Sequence, residues 1–181
     1  DGRSGNPISP YASSKLAAEE LGLVYQHLYG LRFIALRLFT VFGPRQRPDL
    51  AIHKFYELIR QGKSILLYGD GQTRRDYTYV SDIVDGFVAA IDYPGTESVF
   101  NLGDSSPVSL LTLISSLEEA MQTKATLQFG PMQEGDVDQT FANINRAGQA
   151  LGYAPKISLD KGLEAFVQWK TQTGNPAAIL K

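Results

Sequence analysis

The sequence predicts an α/β fold. Segments with helical periodicity alternate along the chain with short, nearly continuous apolar runs. Those runs lack the alternation of a sheet wetted on one face, and suit strands buried on both faces of a parallel sheet. Size permits this: 181 residues, 43% hydrophobic and 20% charged, can enclose a real core.

The elements follow in order. Ser9-Pro10 opens a helix over Tyr11–Tyr29, and Gly30 stops it. Leu16, Leu21, Leu23, Val24 and Leu28 give that helix its apolar face. "LRFIALRLF", Leu31–Phe39, reads as one buried strand, and "VFGPRQRPDL" as a loop. "AIHKFYELIRQG" is a helix with Ile52, Phe55, Leu58 and Ile59 inward. "SILLYGDGQTRRDYTYV" reads as two short strands around a Gly-Asp-Gly turn. A helix capped by Ser81 or Asp82 runs to about Tyr93. "SVFNLGD" is a strand, "SLLTLISSLEEAMQ" a helix capped near Ser109, and "TLQFG" a strand. "RAGQALGY" is a short helix and "SLDKGLEAFVQWKTQTG" a closing one. There is no internal repeat and no low-complexity segment.

Composition narrows the function. A net charge of −2 gives no field for a polyanion, so no nucleic-acid partner is expected. Without cysteine there is neither a disulfide framework nor a thiolate metal site. His27 and His53 are the sole histidines, so a histidine-rich metal site is not expected either. No apolar run reaches membrane-spanning length and no signal peptide is visible, which makes the cytoplasm the default location. The chain starts at Asp1 rather than methionine, which is compatible with a processed or partial sequence.

Tyr11 and Lys15 carry the first chemical signal. At i and i+4 they share one helix face. A free phenol ionises near ~10, too high for a base at neutral pH. Lowering that by roughly three units needs about 4 kcal/mol. A cation at about 4 Å, at an effective dielectric near ~20, supplies about that much before desolvation is subtracted. The spacing therefore suits a tyrosine that accepts and returns a proton. The plainer reading is a chance pair on a solvated face.

The flanking residues favour the chemical reading. "SPYASSKLAAEE" resembles the active-site helix of the extended short-chain dehydrogenases/reductases, in the nucleotide-sugar epimerase and dehydratase branch. Further segments resemble that family in its own order: "LRLFTVFGPRQRPD", "YGDGQTRRDYTYVSDIVDG", "FNLGDSSPVSL", "PMQEGDV" and "TFANINRAGQALGYAPKISLDKGLEAFVQW". The Thr40 loop looks most like the UDP-glucuronate 4-epimerase group, with the UDP-glucose 4-epimerases next.

The resemblance implies a set of roles. Tyr11 would be the acid/base at a sugar hydroxyl. Lys15 would favour its ionised form and bind the nicotinamide ribose of NAD. Phe39 and Val41 would lie near the nicotinamide. Thr40 and Arg47 would meet the sugar, Arg47 at a C6 carboxylate. Leu66 and Tyr68 would frame the uracil and Arg75 would pair with the diphosphate. Gln133 stands where some relatives have an arginine, and Asp136 matches an acidic residue facing the ribose. Asn143 replaces a more usual Asp, which reads as a capping change. Plainer alternatives stay open: loop charge for Arg45 and Arg47, core packing for Leu66 and Tyr68, cross-strand charge for Arg75. Arg74, on the opposite strand face, reads as surface charge.

The implied activity is an NAD-dependent 4-epimerisation of a UDP-sugar through a 4-keto intermediate. The implied architecture is the C-terminal part of a Rossmann-like fold. Residues 1–50 would belong to the dinucleotide-binding domain and 51–181 mainly to the substrate region, with strand 98–103 returning to the sheet. The family's Gly-x-x-Gly-x-x-Gly turn is absent from the sequence, as is its earlier strand with a Ser/Thr. The chain is therefore expected to be inactive alone, and to pair with itself or with a chain supplying the cofactor half. Two alternatives remain: a non-enzymatic piece that binds a nucleotide sugar or a partner, and a nucleotide-sugar 4,6-dehydratase.

Overall fold

The fold begins where Ser9 can cap a helix. In the computed structural model, which describes residues 7, 9–132 and 138–173, Ser9 Oγ accepts the Ala12 N–H at 3.1 Å and Pro10 follows in the first turn. Helix α1 (Pro10–Tyr29) ends at Gly30, whose φ of 64° is left-handed. None of its residues is buried. Leu16 and Leu23 are half-buried, whereas Leu21, Val24 and Leu28 are exposed. Phe33 and Arg37 both contact α1. The Phe33 ring lies against Gly22, where any Cβ would overlap it. Arg37 forks onto Glu19, with Nε–Oε1 at 2.8 Å and Nη2–Oε2 at 2.6 Å.

The apolar run after α1 is not the single strand its composition predicts. It forms β1 (Ala35–Leu38) and β2 (Thr40–Phe42). β1 pairs in parallel with β6 (Val99–Leu102), and β2 in parallel with β5 (Tyr77–Tyr79). The break is a change of partner. Phe39 N–H still donates to Leu102 O at 3.3 Å, but Thr40 N–H donates to Asp76 O at 3.0 Å. Val41 and Phe42, expected in a loop, are thus strand. Nor is β1 buried on both faces: Ala35, Leu36 and Arg37 are half-buried and Leu38 is exposed. Among the described residues β1 has a strand neighbour on one edge alone.

Helix α2 (Ala51–Arg60) buries Ile52, Phe55 and Ile59 as its periodicity requires, with Leu58 half-buried; His53 and Tyr56 are buried too. β3 (Ser64–Tyr68) pairs in parallel with β8 (Thr126–Gly130). After the Gly69–Gly71 turn the chain forms two strands rather than one. These are β4 (Arg74–Arg75), antiparallel to β7 (Val108–Ser109), and then β5. Helix α3 (Val80–Asp92) starts ahead of the expected caps. Tyr79 is its N-cap with no side-chain bond, so neither Ser81 nor Asp82 caps it. Asp82 is buried instead, accepting the Ile157 N–H at 3.0 Å. α4 (Leu110–Met121) is capped by Ser109, whose Oγ accepts from Thr112 N at 3.1 Å. α5 (Asn145–Leu151) follows; its N-cap is Ile144 with no side-chain cap bond, so Asn143 does not cap it, and Asn143 Oδ1 accepts the Asn145 N–H at 3.1 Å from just ahead of the helix. α6 (Leu159–Thr173) closes the described chain.

Two apolar clusters hold these elements. The larger brings Phe42, Ile65, Leu67, Leu113, Leu163 and Phe166 together between α2, α4, α6 and strands β2, β3 and β5. The smaller gathers Ile83, Phe100, Leu102, Ala147 and Tyr153 around β6, α3 and α5. Among the described residues no helix is long and apolar enough to cross a membrane.

Candidate active site

Tyr11 and Lys15 project from the first turns of α1, as their spacing dictates. Lys15 Nζ lies 5.3 Å from the centroid of the Tyr11 ring. Both line an open cleft of about 640 Å³ between α1 and β1, together with Glu19, Ala35 and Leu36. Tyr11 is 71% exposed, so its phenol is free to meet a ligand in that cleft. The arrangement sets an ammonium group over an exposed phenol ring, a pairing that suits a tyrosine exchanging a proton with a bound hydroxyl. The lining of this cleft includes none of the later candidate residues.

A second group lies where β2 meets β5. Thr40 is half-buried opposite Tyr77, and Val41 packs on the smaller cluster. Phe39 is half-buried, and a Cβ at Gly103 would sit 3.4 Å from its ring. Asp76, a residue the sequence reading did not single out, organises this region. It is fully buried. Its Oδ1 accepts the Asp104 N–H at 2.8 Å, and its Oδ2 accepts those of Ser105 at 3.0 Å and Ala142 at 2.9 Å. One carboxylate thus ties together the strand beside Arg75, the turn after β6 and the segment before α5. The available signal was a single Asp inside "DYTYV", since a charged side chain in such a strand is buried only when fully bonded. Burial, with Asp76 and Asp82 nearby, raises the Asp104 carboxyl to about 6.

Leu66 and Tyr68 alternate with buried Ile65 and Leu67, and both face outward from β3. They are therefore not core packing. They offer an apolar strip, one leucine and one aromatic ring, on one strand face. Arg75 is half-buried on β4, with Nη1 donating to Arg74 O at 2.9 Å. Arg74 is exposed but not idle: its Nη2 donates to Pro107 O at 2.7 Å, tying β4 to the start of β7. Arg47 pairs with Asp49 at 2.9 Å, with side chains 72% and 60% exposed. A pair this open is worth ~0–1 kcal/mol and exchanges readily for another carboxylate. Gln133 and Asp136 lie outside the described residues. Among the described residues no group of three or more His, Cys, Asp or Glu could hold a metal ion.

Comparison with known proteins gives this geometry a context. Residues 1–103 match the model of the NAD dependent epimerase/dehydratase family. An uncharacterized protein of Methanocaldococcus jannaschii is 45% identical, over 93% of this chain and 52% of its own length. A UDP-glucuronate 4-epimerase of Thermodesulfobacterium geofontis is 39% identical, over 92% of this chain and 51% of its own. Among solved structures, the UDP-glucuronic acid 4-epimerase of Bacillus cereus, in complex with UDP-glucuronic acid and NAD, matches with a TM-score of 0.84 at 38% identity. That match covers 93% of this chain and 54% of the other. The UDP-glucose 4-epimerase of Thermotoga maritima, with UDP-glucose, matches with a TM-score of 0.88 at 32% identity, over 94% of this chain and 56% of that one. The chain spans about half the length of the curated relatives it matches. Its α/β fold with parallel strand pairs is the corresponding part of the UDP-sugar epimerase fold.

Proposed function

This chain belongs to the NAD-dependent epimerase/dehydratase family, and on that premise we propose that it serves the 4-epimerisation of UDP-sugars, with UDP-glucuronate preferred. The observation that carries the reading is the Tyr11–Lys15 pair at an open cleft. The Tyr11 phenolate takes the proton of the sugar 4-hydroxyl and later returns it. The Lys15 ammonium favours the anionic form before the first of those steps and again after the second. When bound, the family's dinucleotide supplies the hydride acceptor and donor at C4. Lys15, exposed beside Tyr11, would hold one end of it by donating to ribose hydroxyls, and Phe39 and Val41 would lie on its nicotinamide side. The turn that would hold the pyrophosphate is not among the 181 residues. The 4-keto sugar turns over within the site, so that reduction occurs on its other face.

That turnover needs a firmly held nucleotide and a loosely held sugar. Leu66 and Tyr68 frame the base and Arg75 takes the diphosphate; Gln133 and Asp136, outside the described residues, are the further candidates for the diphosphate and the ribose. Thr40 and Arg47 meet the sugar, and Arg47 exchanges Asp49 for the C6 carboxylate. Residues 1–50 then go with the dinucleotide-binding layer and 51–181 with the substrate region. The parallel pairing of β1 with β6 supports the return of 98–103 to that layer. The test is product analysis with the whole protein. UDP-galacturonate should form from UDP-glucuronate; exclusive turnover of UDP-glucose, or loss of water to a 6-deoxy-4-keto sugar, would contradict the assignment. The 181-residue chain supplied with NAD but no other protein should give no product, and product from it would refute this part of the proposal.

One observation supports a second, compatible reading, in assembly. Leu21, Val24, Leu28 and Tyr29 of α1 are exposed together. Such a surface suits association with a second copy, or with a chain bearing the cofactor half. Sedimentation of the chain as a monomer at all concentrations would exclude association with a second copy, and a monomer that also fails to co-sediment with a chain bearing the cofactor half would exclude both.

A further inference from the structure

The loop between β2 and α2, residues 43–50, carries Arg47 and is under strain. Arg45 adopts a φ of 66°, left-handed for a residue with a side chain. Beside it, the Gln46 Oε1 is buried with no hydrogen-bond partner among the described residues. Both features cost stability, and they persist only where the surroundings over-determine the loop.

Gln46 is where that determination is applied. Its N–H donates to Gly43 O at 3.2 Å and its Nε2 to Val41 O at 3.0 Å. Its carbonyl contacts His53 Nδ1 at 3.1 Å. The other ring nitrogen, Nε2, stands 3.0 Å from Lys170 Nζ. An ammonium nitrogen has no lone pair, so Nε2 must be the acceptor. The proton then sits on Nδ1 and is donated to Gln46 O. Lys170 thereby fixes the imidazole as the neutral tautomer that can hold the loop. Lys170 is itself held from α2 and α6. Its Nζ meets Glu57 Oε1 at 2.6 Å and lies 5.3 Å and 5.8 Å from the Tyr56 and Trp169 ring centroids. The Lys170 bond, reinforced by Arg60, draws the Glu57 carboxyl down to about 2. His53 is 8% exposed and is clamped edge-to-face by Phe166 and Trp169.

We infer that His53 is a positioning residue for substrate selection, acting through Gln46 on the loop that presents Arg47, with Lys170 of α6 setting its tautomer. This rests on the reading that Arg47 meets the sugar. A line of bonds joins the closing helix to that loop, although Lys170 and His53 are 117 residues apart. The conclusion follows from donor and acceptor chemistry: a ring required only for packing would not need its two nitrogens assigned.

The test uses the whole protein and the ratio of kcat/KM for UDP-glucuronate to that for UDP-glucose. His53→Phe keeps an aromatic ring but removes both bonds, and should lower the ratio about tenfold or more. His53→Asn places an amide N–H near the position of Nδ1, and should recover most of the ratio despite its poorer packing. In an Arg47→Leu background, His53→Phe should have no further effect on UDP-glucuronate, because the two act in series. A packing role would give the opposite order: Phe tolerated, Asn worse, and the ratio unmoved in both. An unchanged ratio in His53→Phe while Arg47→Leu collapses it would overturn the inference and leave the Arg47 assignment standing. A ratio insensitive to both variants would overturn the two together. Melting temperatures of each variant identify any loss that comes from unfolding, and a His53→Asn that melts with the parent yet fails to restore the ratio would also refute the inference.

Discussion

The two ends of the chain solve the problem of apolar surface differently. The lobe built by α2, α4 and α6 over β3 encloses its own core: Ile65, Leu113, Leu117, Leu163 and Phe166 are all fully buried. Helix α1, which carries Tyr11 and Lys15, buries none of its residues, and its strand β1 is flanked on one edge. Leu66, Tyr68 and Arg75, proposed to bind the nucleotide, thus stand on a self-sufficient scaffold. Tyr11 and Lys15, proposed to move the proton, stand on an element whose apolar side is only partly covered among the described residues, with Leu16 and Leu23 half-buried and Leu21, Val24 and Leu28 exposed. Firm nucleotide binding calls for the first arrangement. On the proposed reading, the open face of α1 and β1 is one that a second copy, or a chain bearing the cofactor half, would cover.

The contrast can be broken most sharply by stability. Phe166→Ala should cost about 3–5 kcal/mol, the usual range for emptying a core aromatic site. Leu28→Ala in α1 should stay within about 0.5 kcal/mol in the 181-residue chain. Denaturant titration reads both, and equal losses would show that α1 is covered after all. Next in size is substrate choice. Arg47→Leu should weaken UDP-glucuronate by ten- to a hundredfold relative to UDP-glucose, since a charge-assisted bond is worth roughly 1.5–3 kcal/mol. Steady-state kinetics with the whole protein measures it, and equal losses on both substrates would move Arg47 to a structural role.

The smallest effect concerns Asp104. Its folded carboxyl, at about 6, binds a proton more tightly than the ordinary carboxyl at 3.8. The resulting stabilisation is fully present below 3.8 and is lost as the pH rises through about 6. At neutral pH the charge is therefore a cost, and Asp104→Asn should raise the melting temperature by roughly 1–3 °C at pH 7.5, allowing for solvent screening of a half-exposed group. The advantage should vanish by about pH 4. A difference independent of pH would refute the account of this carboxyl.

The elements that declare themselves locally were legible in the sequence. Ser9-Pro10 and Gly30 bound α1, and Ser109 marks the start of α4, because a cap is decided within a few residues. The relation of Tyr11 to Lys15 was legible because helical geometry alone dictates it. The 31–39 run misled because apolar composition does not report how many neighbours a strand has. Here it pairs with β6 on one edge through Phe39 and then changes partner at Thr40. Asp82 looked like a cap because its type suits one; its actual partner, the Ile157 N–H, lies 75 residues away. Asp76 and His53 were hidden for the same reason. Their bonds reach as far as 66 and 117 residues along the chain, beyond any local pattern.

The central claim is that Tyr11 is the acid/base of a UDP-sugar epimerisation, and Tyr11→Phe in the whole protein tests it most directly. The exposed hydroxyl makes no contact that the larger core needs, so the melting temperature should not move. The rate of UDP-galacturonate formation from UDP-glucuronate should fall by about 10²–10⁴-fold, the usual worth of a positioned acid/base, while UDP binding stays intact. A Tyr11→Phe protein that retains more than about a tenth of the parent rate would contradict the account.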